Sequence, residues 1–166
     1  PYWIDLDASV TVVSSYDLFA INLNDYDVLY WGGDQTFWSD FYINIASKMG
    51  DIEEYIENGG SLFSATGSQC WNYDPDDCSV SFGFPGGISG LYSTGSMQYP
   101  YDDYCETMNL PDVVLGGSSY HNTFHNLEAV ENVEIFSVTE YDNPVGIKYA
   151  LGLGHVILIG NPSECY

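Results

Sequence analysis

The sequence, 166 residues long, predicts an α/β fold: a mostly parallel sheet flanked by helices and closed by a C-terminal β-hairpin. Three observations carry the prediction. Strand-like and helix-like patterns alternate along the chain, one long helical stripe stands between two short apolar runs, and a Gly-containing connection joins the last two apolar runs.

Residues 9–13 (SVTVV) are a β-branched run that predicts a first strand, and after a turn-rich stretch residues 27–31 (DVLYW) predict a second, stopped by Gly32-Gly33. Both are nearly continuous apolar runs, the pattern of strands covered on both faces. Trp38, Phe41, Ile45, Met49, Ile52 and Ile56 then recur every three or four residues. That spacing places them on one stripe of a single helix, which Gly59-Gly60 ends after Asn58. Residues 61–65 (SLFSA) predict the next strand at once, so strand, helix and strand make a βαβ unit with parallel strands and a right-handed crossover.

From residue 66 to 110 neither period is visible. The segment is rich in Gly, Ser, Tyr, Asp and Pro, and reads as a long loop-rich insertion. Residues 112–115 and 133–138 (VEIFSV) predict strands, and 126–130 one helical turn. Residues 145–151 and 155–160 are apolar runs joined by Gly152-Leu153-Gly154, which predicts the closing hairpin. The whole chain, 1–166, reads as one domain, since 45% of it is hydrophobic and that is enough to close one core.

Charge narrows the partners. There are 24 Asp and Glu against two bases, Lys48 and Lys148, for a formal charge of -22. No basic patch can be assembled, which excludes nucleic acid and disfavours anionic membranes. No run of apolar residues is long enough to insert in a membrane. The start, Pro1-Tyr2-Trp3, lacks a basic and apolar leader, so an export signal is expected outside the sequence. So acidic a surface repels itself, and it suits either a salty habitat or bound Ca²⁺.

Four cysteines, Cys70, Cys78, Cys105 and Cys165, form an even set with no C-x-x-C pair. Two disulfides fit better than zinc. Of the three connectivities, Cys70 with Cys78 and Cys105 with Cys165 is preferred, which makes 66–110 a disulfide-bearing insertion. Abundant Tyr and Asn with almost no Lys also suits an extracellular or cell-surface location.

Two segments resemble a known family. Residues 63–69 (FSATGSQ), coming straight off a strand, are similar to the nucleophile elbow of class I glutamine amidotransferases, with Gly67 and Gln69 matching. Residues 156–164 (VILIGNPSE) are similar to that family's terminal strand and H-P-E. Residues 141–160 and 119–124 (SYHNTF) resemble segments of amidotransferase-like domains in large secreted and surface proteins. The resemblance implies a flavodoxin-like α/β fold, and it implies that the usual first strand and helix are lacking here. It also places Ala65 in the nucleophile slot, Asn161 in the His slot and Ser163 in the Glu slot, unless one residue is inserted before Glu164. Such a set cannot make an activated thiolate, so the resemblance implies a degenerate, non-catalytic site.

The remaining candidates are a cation loop, a histidine pair and a set of rings. Asn72, Asp74, Asp76 and Asp77 alternate oxygen-bearing side chains on a Pro-punctuated loop between two cysteines, a pattern that suits Ca²⁺; a solvated acidic loop is the alternative. Asp102, Asp103 and Glu106 are a second acidic cluster. His121 and His125 would share a face and could bind a metal only if helical, but Asn122, Thr123 and Asn126 predict a loop there; Cys70 is read as a disulfide partner before a catalytic thiol. Trp71, Tyr73, Phe82, Phe84, Tyr92, Tyr99, Tyr101 and Tyr104 either fill a small core under the insertion or offer rings to glycans. The reading is a non-catalytic extracellular module whose partners are other subunits or domains of one surface assembly, an adhesin or filament subunit. The alternative is a carbohydrate- or calcium-binding domain of a larger secreted enzyme, and a hydrolase with unrecognised residues comes third. Calorimetric titration of the chelator-treated chain with Ca²⁺ should give saturable heat at or below about 1 mM, the weak end of extracellular calcium sites; no heat there would reduce 72–77 to a solvated loop.

Overall fold

Both strands of the predicted βαβ unit form, and they are parallel. β1 (Val28–Gly33) and β2 (Ser61–Thr66) pair from Val28 with Ser61 to Gly33 with Thr66. A helical crossover imposes that direction, because a short turn would bring the chain back antiparallel. The computed structural model describes residues 9–33, 39–66, 82–100 and 114–160. The four cysteines, the candidate calcium residues Asn72, Asp74, Asp76 and Asp77, and Asn161 and Ser163 lie outside the described residues.

The single predicted helix is two, α1 (Ser39–Ser47) and α2 (Met49–Glu57). The break has a local cause. Ser47 Oγ donates to the Asn44 carbonyl at 2.8 Å, and the Lys48 amide is shared between the carbonyls of Asn44 and Ile45. A serine that bonds back to the preceding turn bends a helix. The stripe nevertheless survives, with Ile45, Ile52 and Ile56 buried and Phe41 and Met49 packed against them. At the far end Gly59 (φ 110°) takes the left-handed position, and Gly60 N–H bonds to Tyr55 O at 3.0 Å, which closes α2 as the double glycine predicts.

The remaining strands are β3 (Phe82–Gly83), β4 (Ser89–Pro100), β5 (Val114–His125), β6 (Glu134–Thr139), β7 (Pro144–Leu151) and β8 (Gly154–Ile159). They form one sheet in the order β1-β2-β8-β7-β6-β4-β3, with β5 along β4. The expectation of a mostly parallel sheet is corrected. Only β1 with β2 and β2 with β8 are parallel, and the other pairings among the described residues are antiparallel. After β2 the described chain has no α-helix, and turns such as the Gly152-Leu153 corner return it antiparallel.

Three local expectations also change. Residues 9–13 form no strand and are exposed, because β-propensity expresses itself only against a neighbouring strand. Within 66–110, where no regular structure is expected, β3 and β4 form. β4 divides its partners among β3, β5 and β6 and shifts register near Gly95, so its residues keep no steady alternation for the sequence to display. The stretch around His121, Asn122 and Thr123 is strand β5, not a loop, with Tyr92 opposite Asn122 and Leu91 opposite Thr123.

The core lies on one side of the sheet. Trp31, Leu62, Val156, Leu158, Ile147 and Tyr149 meet Ile45, Ile52, Tyr55 and Ile56 from the helices, and Leu18, Leu23, Phe84, Ile88 and Phe124 complete the cluster. The closing hairpin is fastened to the same side. Leu153 N–H bonds to Glu57 O at 3.0 Å, and a Cβ on Gly154 would stand 2.2 Å from Ile56 O. Only glycine allows that approach, so the Gly152-Leu153-Gly154 turn is both a hairpin corner and the seat for the end of α2.

Tyr149 supplies a polar tie within this core, donating to Pro85 O at 2.6 Å. Burial, and secondarily the charge of Glu53, raises its pKa far above the usual phenol range. Tyr149→Phe should cost about 1–2 kcal/mol in urea unfolding, because the Pro85 carbonyl loses its donor. Above about pH 10 the unfolded tyrosine ionises while the folded one keeps its proton, so wild-type stability falls with rising pH. The variant should show a shallower fall over that window. Equal slopes would show that Tyr149 ionises alike in both states.

Candidate functional site

Open α/β sheets collect ligands at the carboxyl ends of their parallel strands. Here those ends are Gly32 and Gly33 on β1, Ala65 and Thr66 on β2, and Ile159 on β8 followed by Gly160. Register sets Gly32, Ala65, Ile159 and Gly146 in one row across four strands. None of the four residues in that row carries a nucleophile, an acid or a base. Ala65, which the resemblance alone puts in a nucleophile slot, is a buried methyl at the middle of the row.

The neighbouring hydroxyl does not replace it. Ser64 belongs to the opposite, helix-covered face, is wholly buried, and is the register partner of Trp31. Ser64 Oγ and Trp31 Nε1 have no hydrogen-bond partner. A nucleophilic hydroxyl needs a base within hydrogen-bond reach, and among the described residues Ser64 has none.

Gly160 N–H bonds to Val145 O at 2.7 Å, and Asn122 N–H bonds to Gly160 O at 3.2 Å. A Cβ on Gly160 would stand 2.2 Å from Asn122 O, so β5, β7 and the end of β8 close on a glycine. Asn161 itself, with Ser163, is outside the described residues.

His121 and His125 sit on a strand, where four residues span about 13 Å, so the one-turn geometry of a helical metal pair does not form. His125 Nε2 lies 2.9 Å from Thr123 Oγ1. His155 is exposed at the start of β8. Among the described residues no cluster of three or more His, Cys, Asp or Glu side chains could hold a metal ion.

The other face of the sheet is different in kind. Its central row runs Tyr30, Phe63, Ile157, Lys148 and Glu134 across five strands in strict register. The rings of Tyr30 and Phe63 are 5.4 Å apart, and Lys148 Nζ meets Glu134 Oε2 at 2.9 Å. Val28, Tyr30 and Ile157 are exposed. Among the described residues, the helices and short 3-10 turns all pack on the opposite side. A shallow depression of about 550 Å³ opens between Glu134, Lys148, His155 and Ile157. The expectation that β1 is covered on both faces is therefore corrected. Sequence reasoning missed this surface because Tyr30 and Ile157 look like core. The available signal was Lys148 and Ala150 alternating with the buried Ile147 and Tyr149 on β7.

The architecture has solved counterparts. Cytoplasmic Protein STM3548 from Salmonella typhimurium aligns at TM-score 0.51 and 13% identity, over 94% of this chain and 67% of that one. Cytoplasmic Protein STM1381 from Salmonella typhimurium LT2 aligns at TM-score 0.52 and 10% identity, over 86% of this chain and 63% of that one. A ThuA-like protein from Bacteroides uniformis overlaps at TM-score 0.42 and 14% identity, over 87% of this chain and 64% of that one, below the level at which a shared fold can be argued. The likeness to the first two is one of fold, and the chain spans roughly two thirds of their length. No family model and no curated protein matches the chain.

Proposed function

We propose that the chain is a non-catalytic interaction module of amidotransferase-like fold, working in an extracellular or cell-surface assembly. The observation that carries this reading is the contrast between the two candidate sites. Where the resemblance puts a nucleophile, the row reads Gly32, Ala65, Ile159, and none of these three side chains can accept a proton or attack a carbonyl. The sheet face bearing Tyr30, Phe63 and Ile157 instead offers apolar area next to a neutral Lys148–Glu134 pair. On a chain of charge -22, an uncharged surface is where another macromolecule can approach without repulsion.

The extracellular placement rests on composition, namely the acidic surface, the scarcity of Lys and the even cysteine count. The Salmonella proteins described as cytoplasmic share only the fold. No helix among the described residues is long and apolar enough to cross a membrane. Partners would be other subunits or domains of the same assembly. Incubation with L-glutamine and with simple amide and ester substrates should release product no faster than buffer alone. Saturable turnover that survives repurification would overturn the non-catalytic reading.

A further inference from the structure

Residues 9–13 stand apart from the fold that follows them. Among the described residues, the first anchors are Ser14 and Ser15. Ser14 Oγ donates to Asp17 Oδ2 at 2.7 Å at the start of a 3-10 turn, and Asn44 Nδ2 on α1 donates to Ser15 Oγ at 3.2 Å. Leu18 and Leu23 then sink into the core. Before that anchor, Val10 is 60%, Val12 90% and Val13 39% exposed. A β-branched run with no strand beside it has the composition of a strand and none of the pairing.

At the end of the sheet the matching feature is β1. It is the terminal strand in the sheet order, with β2 on its inner side. Ser61 N–H bonds to Asp27 O at 3.1 Å, so alternation turns the backbone groups of Val28 and Gly32 away from β2. Edge strands are commonly shielded by charge or proline, and β1 (VLYWGG) has neither. The five-residue run spans about 17 Å and the six-residue strand about 20 Å, so the two match in length. Both are uncharged, on a chain with 24 acidic and two basic residues. Contact elsewhere between two copies would set carboxylates against carboxylates.

We propose that residues 9–13 are a donor strand that adds to the outer edge of β1 in a second copy of this chain. Donor and acceptor are different surfaces of one molecule, so the contact is head-to-tail and builds open-ended chains. This inference rests on reading the chain as an assembly module, and the two fail separately. Turnover would overturn the non-catalytic reading and leave strand addition untouched.

Sedimentation velocity of the full chain over a wide concentration range, at low salt and in 1 M NaCl, reads the assembly. High salt shortens the screening length to about 3 Å and should promote it. Hydrogen exchange at residues 9–13 and 28–33 should slow as concentration rises. Val12→Lys should return the chain to monomer even though it lowers the net negative charge, and Val12→Ile should assemble like the wild type. Val12 is exposed, so the Lys variant should keep the wild-type thermal transition. A monomer at every concentration in 1 M NaCl would overturn the proposal. Assembly unchanged by Val12→Lys would overturn it too, as would assembly without protection at 9–13 and 28–33.

Discussion

The fold depends on one close approach, the seating of the Gly152-Leu153-Gly154 corner against the C-terminal end of α2. Leu153 N–H takes the Glu57 carbonyl, His155 N–H takes that of Gly60 at 3.4 Å, and Gly154 lies where any side chain would strike the Ile56 and Gly60 carbonyls. The first of these bonds satisfies a carbonyl that the helix end leaves over. They also set the register of β8 beside β2, with His155 opposite Ser61 and Ile159 opposite Ala65. From β8 the remaining order follows, since β7 returns through the same corner and β6 pairs with β7.

That register decides which residues share a face. Odd positions on β2 and β8 (Phe63, Ala65, Ile157, Ile159) look away from the helices, and even positions (Leu62, Ser64, Val156, Leu158) look into the core. A slip of one residue would exchange the sets and expose Leu158 in place of Ile157. Ala65 and the open aromatic row thus lie on the same side of the sheet, with Ala65 and Phe63 two residues apart on β2.

Much of the fold was legible because it is local. The stripe of Ile45, Ile52 and Ile56, the double-glycine stop, the SLFSA strand and the Gly-containing hairpin each carry their signal within a few residues. What escaped is long-range. β4 is held by three different partners and has bulges, so its apolar residues keep no period. Residues 9–13 have strand composition but no neighbour. The helix break at Lys48 turns on one Ser47 hydroxyl, which periodicity cannot register. Of the surfaces, the β2 strand that carries Ala65 was legible in the SLFSA run, whereas the open face was not. Exposure of Tyr30 and Ile157 depends on which layers are built, and the sequence of a strand does not state that.

The one-sided sheet is the central claim, and methyl-resolved NMR with a soluble paramagnetic agent tests it directly. The account predicts strong relaxation of the Val28 and Ile157 methyls and weak relaxation of those of Val156 and Leu158, their neighbours on the helix side. Equal protection of Ile157 and Leu158 in the isolated chain would contradict it, because both faces of β8 would then be covered.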